Sequence, residues 1–444
     1  MRTRYAGLLR GLLLVVWVWY GSGCGVDPGV PASPPLNPTP TGQGTTEPND
    51  RFDQAVTVDL GTNDSKTVEG GISWSGDVDV FSLGTVSAGD RVVVTVEASG
   101  SSLDPLAALF DGNGRLMAEN DDVDLGVLLQ SRIDQVLRWH ANPLYMAVSN
   151  STFGPSSGGY LASVQITRGV GVPATRSQTI ILIFSGGDMS VTGGTGQYSN
   201  LADFEGKVPA FSGSAIDPVY AGKDAEIMNS IVAAVQQNFS RYDVLVLRQD
   251  PGEATVQATG SRVYIGGFSA DLFGIAEDVD AYNGNLTDRA IVFSELFTPD
   301  VFPTRPSAAN LGKAIGNIAS HEAGHLLGLN HVSDQMALMD TGSPPSSFLL
   351  DQEFIDAVLH PSIFPIGTQD AHLLLLETVG ASGNQSARVL AWAEEVEADV
   401  GAGTDNYGWK GGSGLTKRDF CRCFCRKCVM RRLKGAMLGA WGEP

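Results

Sequence analysis

Eleven residues constrain this chain more than any others: His321-Glu322-Ala323-Gly324-His325-Leu326-Leu327-Gly328-Leu329-Asn330-His331. The 444 residues hold six histidines, and three of them fall here. On a helix, His321 and His325 stand four positions apart, so both imidazoles leave one face and can share a metal ion. Gly328 then ends the helix, because glycine takes the left-handed conformation at little cost and lets the chain turn sharply. That turn brings His331 back as a third nitrogen donor. Three protein ligands leave a fourth position open, as a catalytic Zn²⁺ site requires. Glu322 lies beside the ligands without joining them, placed to act as general base on a water activated by the metal.

The order H-E-x-x-H-x-x-G-x-x-H is followed closely by Ala337-Leu338-Met339-Asp340. Together these segments resemble the metzincin clan of zinc endopeptidases, in which a tight Met-turn underlies the metal. The short spacing and the Ala-Leu-Met wording look most like the matrixin branch. Two positions depart from the relatives: Val332 stands where matrixins carry serine, and Thr341 where astacins and serralysins place a tyrosine. The subfamily therefore stays open. The resemblance implies an α+β fold, with a catalytic domain built on a twisted mixed β-sheet and an active-site helix. It also implies that His321, His325 and His331 hold zinc, that Glu322 is the base, and that Met339 supports the site without bonding to the metal. An extended protein or peptide substrate is expected to pair with an edge strand, for which residues 290–293 are the candidate.

The formal charge of −20 argues against nucleic acid as a partner and suits an exported surface. The five cysteines are Cys24, Cys421, Cys423, Cys425 and Cys428, so the stretch between the first two uses no disulfides. At the N-terminus, Arg2, Arg4 and Arg10 precede an apolar run that is short for a membrane span. Gly21-Ser22-Gly23-Cys24 then resembles a bacterial lipobox, which makes Cys24 the expected lipidation site and residues 1–24 a signal segment. An ordinary cleaved signal and a signal anchor are the alternatives. The lipobox reading implies an outer-membrane or cell-surface lipoprotein, held to the membrane through Cys24. Residues 25–46, rich in Pro, Gly, Thr and Ser, read as a disordered linker.

Residues 47–168 read as an all-β sandwich. Short runs such as residues 78–83, 91–96, 107–110, 145–148 and 160–164 are separated by turn chemistry, notably Asp111-Gly112-Asn113-Gly114. Glu47-Pro48-Asn49-Asp50, Gly76-Asp77-Val78-Asp79-Val80-Phe81 and Leu109-Phe110-Asp111-Gly112-Asn113-Gly114 resemble the bacterial pre-peptidase C-terminal domain. Such domains accompany secreted peptidases, and some bind calcium or substrate; the carboxylates here either hold Ca²⁺ or form turns. Residues 176–376 read as the catalytic domain. Strands are expected at 179–184, 243–247, 262–266 and 290–294, with an amphipathic helix through Ile227, Ile231 and Val235. The active-site helix is expected to start near Ser307, after Pro306, and a further helix is expected through Phe354, Ile355, Val358 and Leu359.

Asp278, Asp280, Asn283 and Asn285 form an oxygen-rich loop that either takes a Ca²⁺ ion or is a plain turn. The tail, residues 380–444, reverses the charge sign and carries the last four cysteines; their one-residue gaps fit zinc geometry poorly, and the tail reads as disordered. The function expected from these features is a zinc-dependent endopeptidase acting on extracellular or surface proteins. A surface binding or adhesion lipoprotein with an inert zinc domain is the main alternative, and a zinc hydrolase of small amides or esters is a third.

Overall fold

The computed structural model describes residues 47–123, 128–151, 156–191, 204–253, 255–270 and 272–383. Cys24, the linker and the four C-terminal cysteines lie outside the described residues, and so do the signal, anchor and tail expectations. No described helix is long and apolar enough to cross a membrane.

The described residues of the first part hold nine strands: β1 (Val56–Thr57), β2 (Ser65–Ile72), β3 (Asp79–Ser82), β4 (Arg91–Ala98), β5 (Pro105–Phe110), β6 (Leu116–Asn120), β7 (Ser131–Val136), β8 (Tyr145–Asn150) and β9 (Gly158–Thr167). They form two sheets, ordered β1-β3-β8-β5-β6 and β2-β9-β4-β7. Val92, Val94 and Val96 of one sheet meet Leu109, Met146 and Val148 of the other in a shared core. The expected sandwich is therefore present, and its two sheets differ. Strands β4 and β9 alternate buried and exposed residues, as a sheet with one solvated face must. Strand β5 is buried at every position. The reason is tertiary. The outer face of its sheet, with Val80, Leu106, Ala108 and Phe110, is covered by Leu359, Ile363 and Phe364 from the second part of the chain.

The second part is α+β. Strands β10 (Gln178–Ile183), β13 (Val244–Gln249), β14 (Ser261–Ile265), β15 (Gly274–Ala276) and β16 (Arg289–Val292) form a sheet ordered β13-β10-β14-β16-β15. All pairings are parallel except β15 with β16. Strands β11 (Gly187–Val191) and β12 (Phe204–Val208) make a separate hairpin. Among the described residues, four α-helices accompany the sheet: α1 (Gly213–Ile216), α2 (Asp224–Asn238), α3 (Ala308–His325) and α4 (Ala371–Val379). Ser307 caps α3, its hydroxyl accepting from the Asn310 N–H at 3.2 Å. From Leu311 onward α3 is buried almost all round, between α2 and the sheet, in a core that includes Ile227, Ile231, Leu311 and Ile315.

Two expectations are corrected by this topology. Residues 290–293 are not at an edge, because β16 is paired on both sides; the edge strand is the short antiparallel β15, which propensity could not reveal in three residues. The helix expected through Phe354 and Leu359 is instead a strand, β17 (Asp356–Val358), paired with β18 (Thr368–Asp370). Apolar residues at 354, 355, 358 and 359 fit a helical face, but Phe354 and Ala357 are buried while Asp356 and Val358 are exposed. The partner strand decides between the two periods.

Candidate metal centre

Helix α3 presents His321 and His325 on one buried face, at 8% and 6% exposure. The helix then closes with a Schellman turn: Leu329 N–H donates to Gly324 O at 3.0 Å and Gly328 N–H to His325 O at 2.9 Å. Gly328 has φ +86°, and a Cβ there would lie 3.0 Å from Asp280 O and Ala281 Cα, so both conformation and space require glycine. The turn carries His331 back to the other two.

The three Nε2 atoms converge, with separations of 3.1 Å (His325 to His321), 3.1 Å (His325 to His331) and 3.2 Å (His321 to His331). Nitrogen donors about 2.0–2.1 Å from one tetrahedral ion lie at nearly this spacing. The tautomers are fixed from behind. His321 Nδ1 faces Leu338 O at 2.7 Å, and His325 Nδ1 faces Leu329 O at 2.7 Å. A carbonyl only accepts, so each Nδ1 carries the proton and each Nε2 turns its lone pair into the cluster. Burial depresses the pKa of His321 to about 4; burial and then the charge of His321 depress that of His325 to about 3. His331 is held well below its usual range, by burial first and then by its two neighbours. The Nε2 atoms of His321 and His325 thus bring lone pairs to the point that His331 Nε2 also faces, and a cation placed there would be shared by all three. The donor set, its tautomers and its spacing therefore fit a divalent zinc-type ion.

Glu322 lies one residue after His321 on α3, with its carboxyl against Gly274 of the edge strand. It is 5% exposed, and burial raises its carboxyl pKa to about 8. A Cβ at Gly274 of β15 would overlap this carboxylate, lying 2.7 Å from Glu322 Cγ and Cδ. The acid thus fits only because that strand position has no side chain. Met339 lies against the other side of the helix, where a Cβ on Gly324 would come 2.5 Å from its sulfur. Val332 N–H donates to Met339 O at 2.9 Å, tying the segment after His331 to this turn.

Asp278, Asp280, Asn283 and Asn285 do not gather as a calcium cage. Asp280 accepts from the N–H groups of Gly284 (2.9 Å) and Asn285 (2.7 Å), and Asp278 from that of Val279 (2.8 Å). Asn283 is bonded through both side-chain atoms, to Arg176 O and Gln178 Nε2. The loop is a self-capped turn. It packs on the end of α3, with Asp280 N–H donating to His325 O at 2.9 Å.

Sequence reasoning missed Gly274, whose role appears only when β15 crosses Glu322. It also missed the carbonyls of Leu329 and Leu338, since any residue supplies a carbonyl. A second group of possible ligands lies in the sandwich, where oxygens of Asp104, Asp121 and Asp122 fall within 4.8 Å of one another.

No family model matches the chain, and none of the curated proteins matches it. Among solved structures, archaemetzincin from Methanopyrus kandleri aligns with 46% of this chain and 95% of its own, at 12% identity and a TM-score of 0.24. The pre-peptidase C-terminal domain of collagenase from Bacillus anthracis aligns with 25% of this chain and 94% of its own, at 17% identity and 0.18. PliG from Aeromonas hydrophila, a periplasmic inhibitor of g-type lysozyme, covers 26% of this chain and 96% of its own, at 18% identity and 0.20. Likeness at this level leaves the chemistry to the residues themselves.

Proposed function

We propose that the chain is a zinc-dependent endopeptidase of the metzincin type, with His321, His325 and His331 as zinc ligands and Glu322 as general base. The observation that carries this reading is the convergence of three Nε2 atoms at 3.1–3.2 Å, with a buried carboxyl on the same helix. When bound, zinc supplies the Lewis acidity that activates water and polarises the scissile carbonyl.

The rest is done by the chain. Glu322 takes a proton from the attacking water and returns it to the leaving amine. Its buried setting keeps bulk water from competing for the proton during that exchange. Strand β15 offers the free edge on which an extended substrate is expected to add as a further strand, directly over Glu322. Thr341, where some metzincins have tyrosine, brings no phenol to the oxyanion. The substrates are proposed to be proteins or peptides outside the cell, reached by a lipoprotein anchored through Cys24; the basic N-terminus, apolar run and Gly21-Ser22-Gly23-Cys24 support that part.

The test compares wild type with Glu322→Gln on denatured casein, with chelator and with zinc restored. Cleavage by the wild type alone, reversible by chelation, is expected, with a loss of about 10²–10⁴-fold in the variant at unchanged zinc content. Equal cleavage by both proteins rules out the assignment of Glu322.

A further inference from the structure

Two zinc ligands ride on a rigid helix, but the third sits on a loop, and the loop is gripped from behind. Asn330 N–H donates to Gln369 Oε1 at 2.7 Å, and Gln369 Nε2 donates to Asn330 O at 2.8 Å. This two-point bond fixes both the position and the tilt of the backbone next to His331. Asn330 is 4% exposed and Gln369 wholly buried. Packing does not do this work alone: a cavity of about 180 Å³, lined by Glu119, Tyr282, Gly328, Asn330 and Gln369 among others, adjoins the loop. On the other side, His360 N–H donates to His331 O at 3.0 Å.

Gln369 lies in β18, and β18 is held by the sandwich. Thr368 N–H donates to Gly114 O at 2.9 Å. Arg115 spans Asp111 at 2.8 Å and Asp370 at 3.2 Å. Phe110 packs edge-on against Phe364, with ring centroids 5.4 Å apart. Gly367 sits flush on Phe110, where a Cβ would overlap the ring, 3.0 Å from its Cδ1. A continuous path thus runs from the β5–β6 turn through β18 and Gln369 to the peptide beside His331.

We propose that Gln369 is a positioning residue for the third metal ligand, and that the sandwich, by holding β18, is a working part of the metal centre. This rests on the reading of the three histidines as a zinc site. A ligand on a loop leaves the ion's reach with small backbone shifts, so the groups that orient it set the affinity. The sandwich face used here is spent on the metal centre and is not free to bind a separate target.

The experiment uses the full chain and zinc itself as probe. Zinc affinity is measured by competition with a chromophoric chelator, and ligand geometry by the visible spectrum of the Co²⁺-loaded protein. Gln369→Ala is expected to weaken zinc about 10–100-fold and to change the Co²⁺ spectrum. Arg115→Met, further along the path, is expected to weaken zinc by less and carries the test if Gln369→Ala does not fold. Val94→Ala, in the sandwich core away from the seam, is the control: it lowers the unfolding temperature and leaves zinc affinity and spectrum unchanged. The proposal is overturned if the seam variants bind zinc within twofold of wild type, or if Val94→Ala weakens it as much as they do. Failure of the wild type to bind zinc is a different result and overturns the metal site itself.

Discussion

The two parts of the molecule each bury a group of ionisable side chains, and burial acts on them in opposite chemical senses. Around α3, desolvation strips protons from three imidazoles, and a neutral imidazole is a metal ligand. In the sandwich, desolvation, reinforced by the neighbouring carboxylates, raises Asp121 to about 7 and, reinforced by Asp122, raises Asp104 to about 6. A carboxyl that holds its proton is a poorer ligand than an ionised one. The same force therefore favours the neutral form in both clusters, which leaves the imidazoles as donors and the carboxyls protonated. The second difference is orientation: backbone carbonyls aim two of the imidazoles, whereas Asp121 accepts a hydrogen bond from the Ser151 hydroxyl, which can rotate, at 2.9 Å.

The comparison breaks most readily at the histidines. His325→Ala is expected to lower zinc affinity on the order of a thousandfold, while the zinc-free protein loses only about 1–3 kcal/mol, the cost of leaving the Leu329 carbonyl without its imidazole donor. Chelator competition and thermal scans of the zinc-free protein check both halves of the statement; a large loss of apo stability would mean that the cluster is structural.

Next in size is Gly274→Ala. The new methyl displaces the Glu322 carboxylate without touching a ligand, so turnover is expected to fall about 10²-fold with zinc content and unfolding temperature nearly unchanged. Unchanged turnover would place the base elsewhere. Gly328→Ala should act on the fold instead. Positive φ and the close approach of residues 280–281 make it destabilising by about 2–3 kcal/mol, measured by denaturant unfolding, with weaker zinc binding as a consequence.

The smallest effect sharpens the sandwich side. Asp121 has a folded-state pKa above its unfolded one, so its contribution is most favourable below pH 4 and is lost as pH rises towards 7. Asn mimics the protonated acid and can still accept from Ser151. Asp121→Asn is therefore expected to be near neutral at pH 4 and stabilising by about 1–2 kcal/mol at pH 8. The difference in unfolding free energy between the two proteins should grow across that interval. A flat difference would mean that Asp121 ionises at little cost even in its buried place.

Much of this architecture is legible in the residue order. The grouping of His321, His325 and His331, the helix start at Ser307 and the turn at Gly328 all follow from local rules, because helical spacing, capping and glycine geometry operate within a few residues. The sandwich is legible for a similar reason, through turn chemistry and strand runs. The misreadings share a cause. The β17 segment has apolar residues that suit a helix, and only β18, ten residues on, makes it a strand. Strand β15 is too short to declare itself, so the neighbouring β16 reads as the edge. The oxygens of the loop at 278–285 read as a calcium set, but their own backbone N–H groups take them.

The sequence by itself determined which atoms can hold a metal, since donor type and spacing along one helix are local properties. Only the tertiary structure decided how that site is held. The imidazoles of His321 and His325 face the carbonyls of Leu338 and Leu329, the Glu322 carboxyl fits against Gly274, and the backbone beside His331 is bonded through Asn330 to Gln369 of β18. Each of these depends on segments far apart in the chain meeting within hydrogen-bond or van der Waals reach, and no local pattern encodes such a meeting.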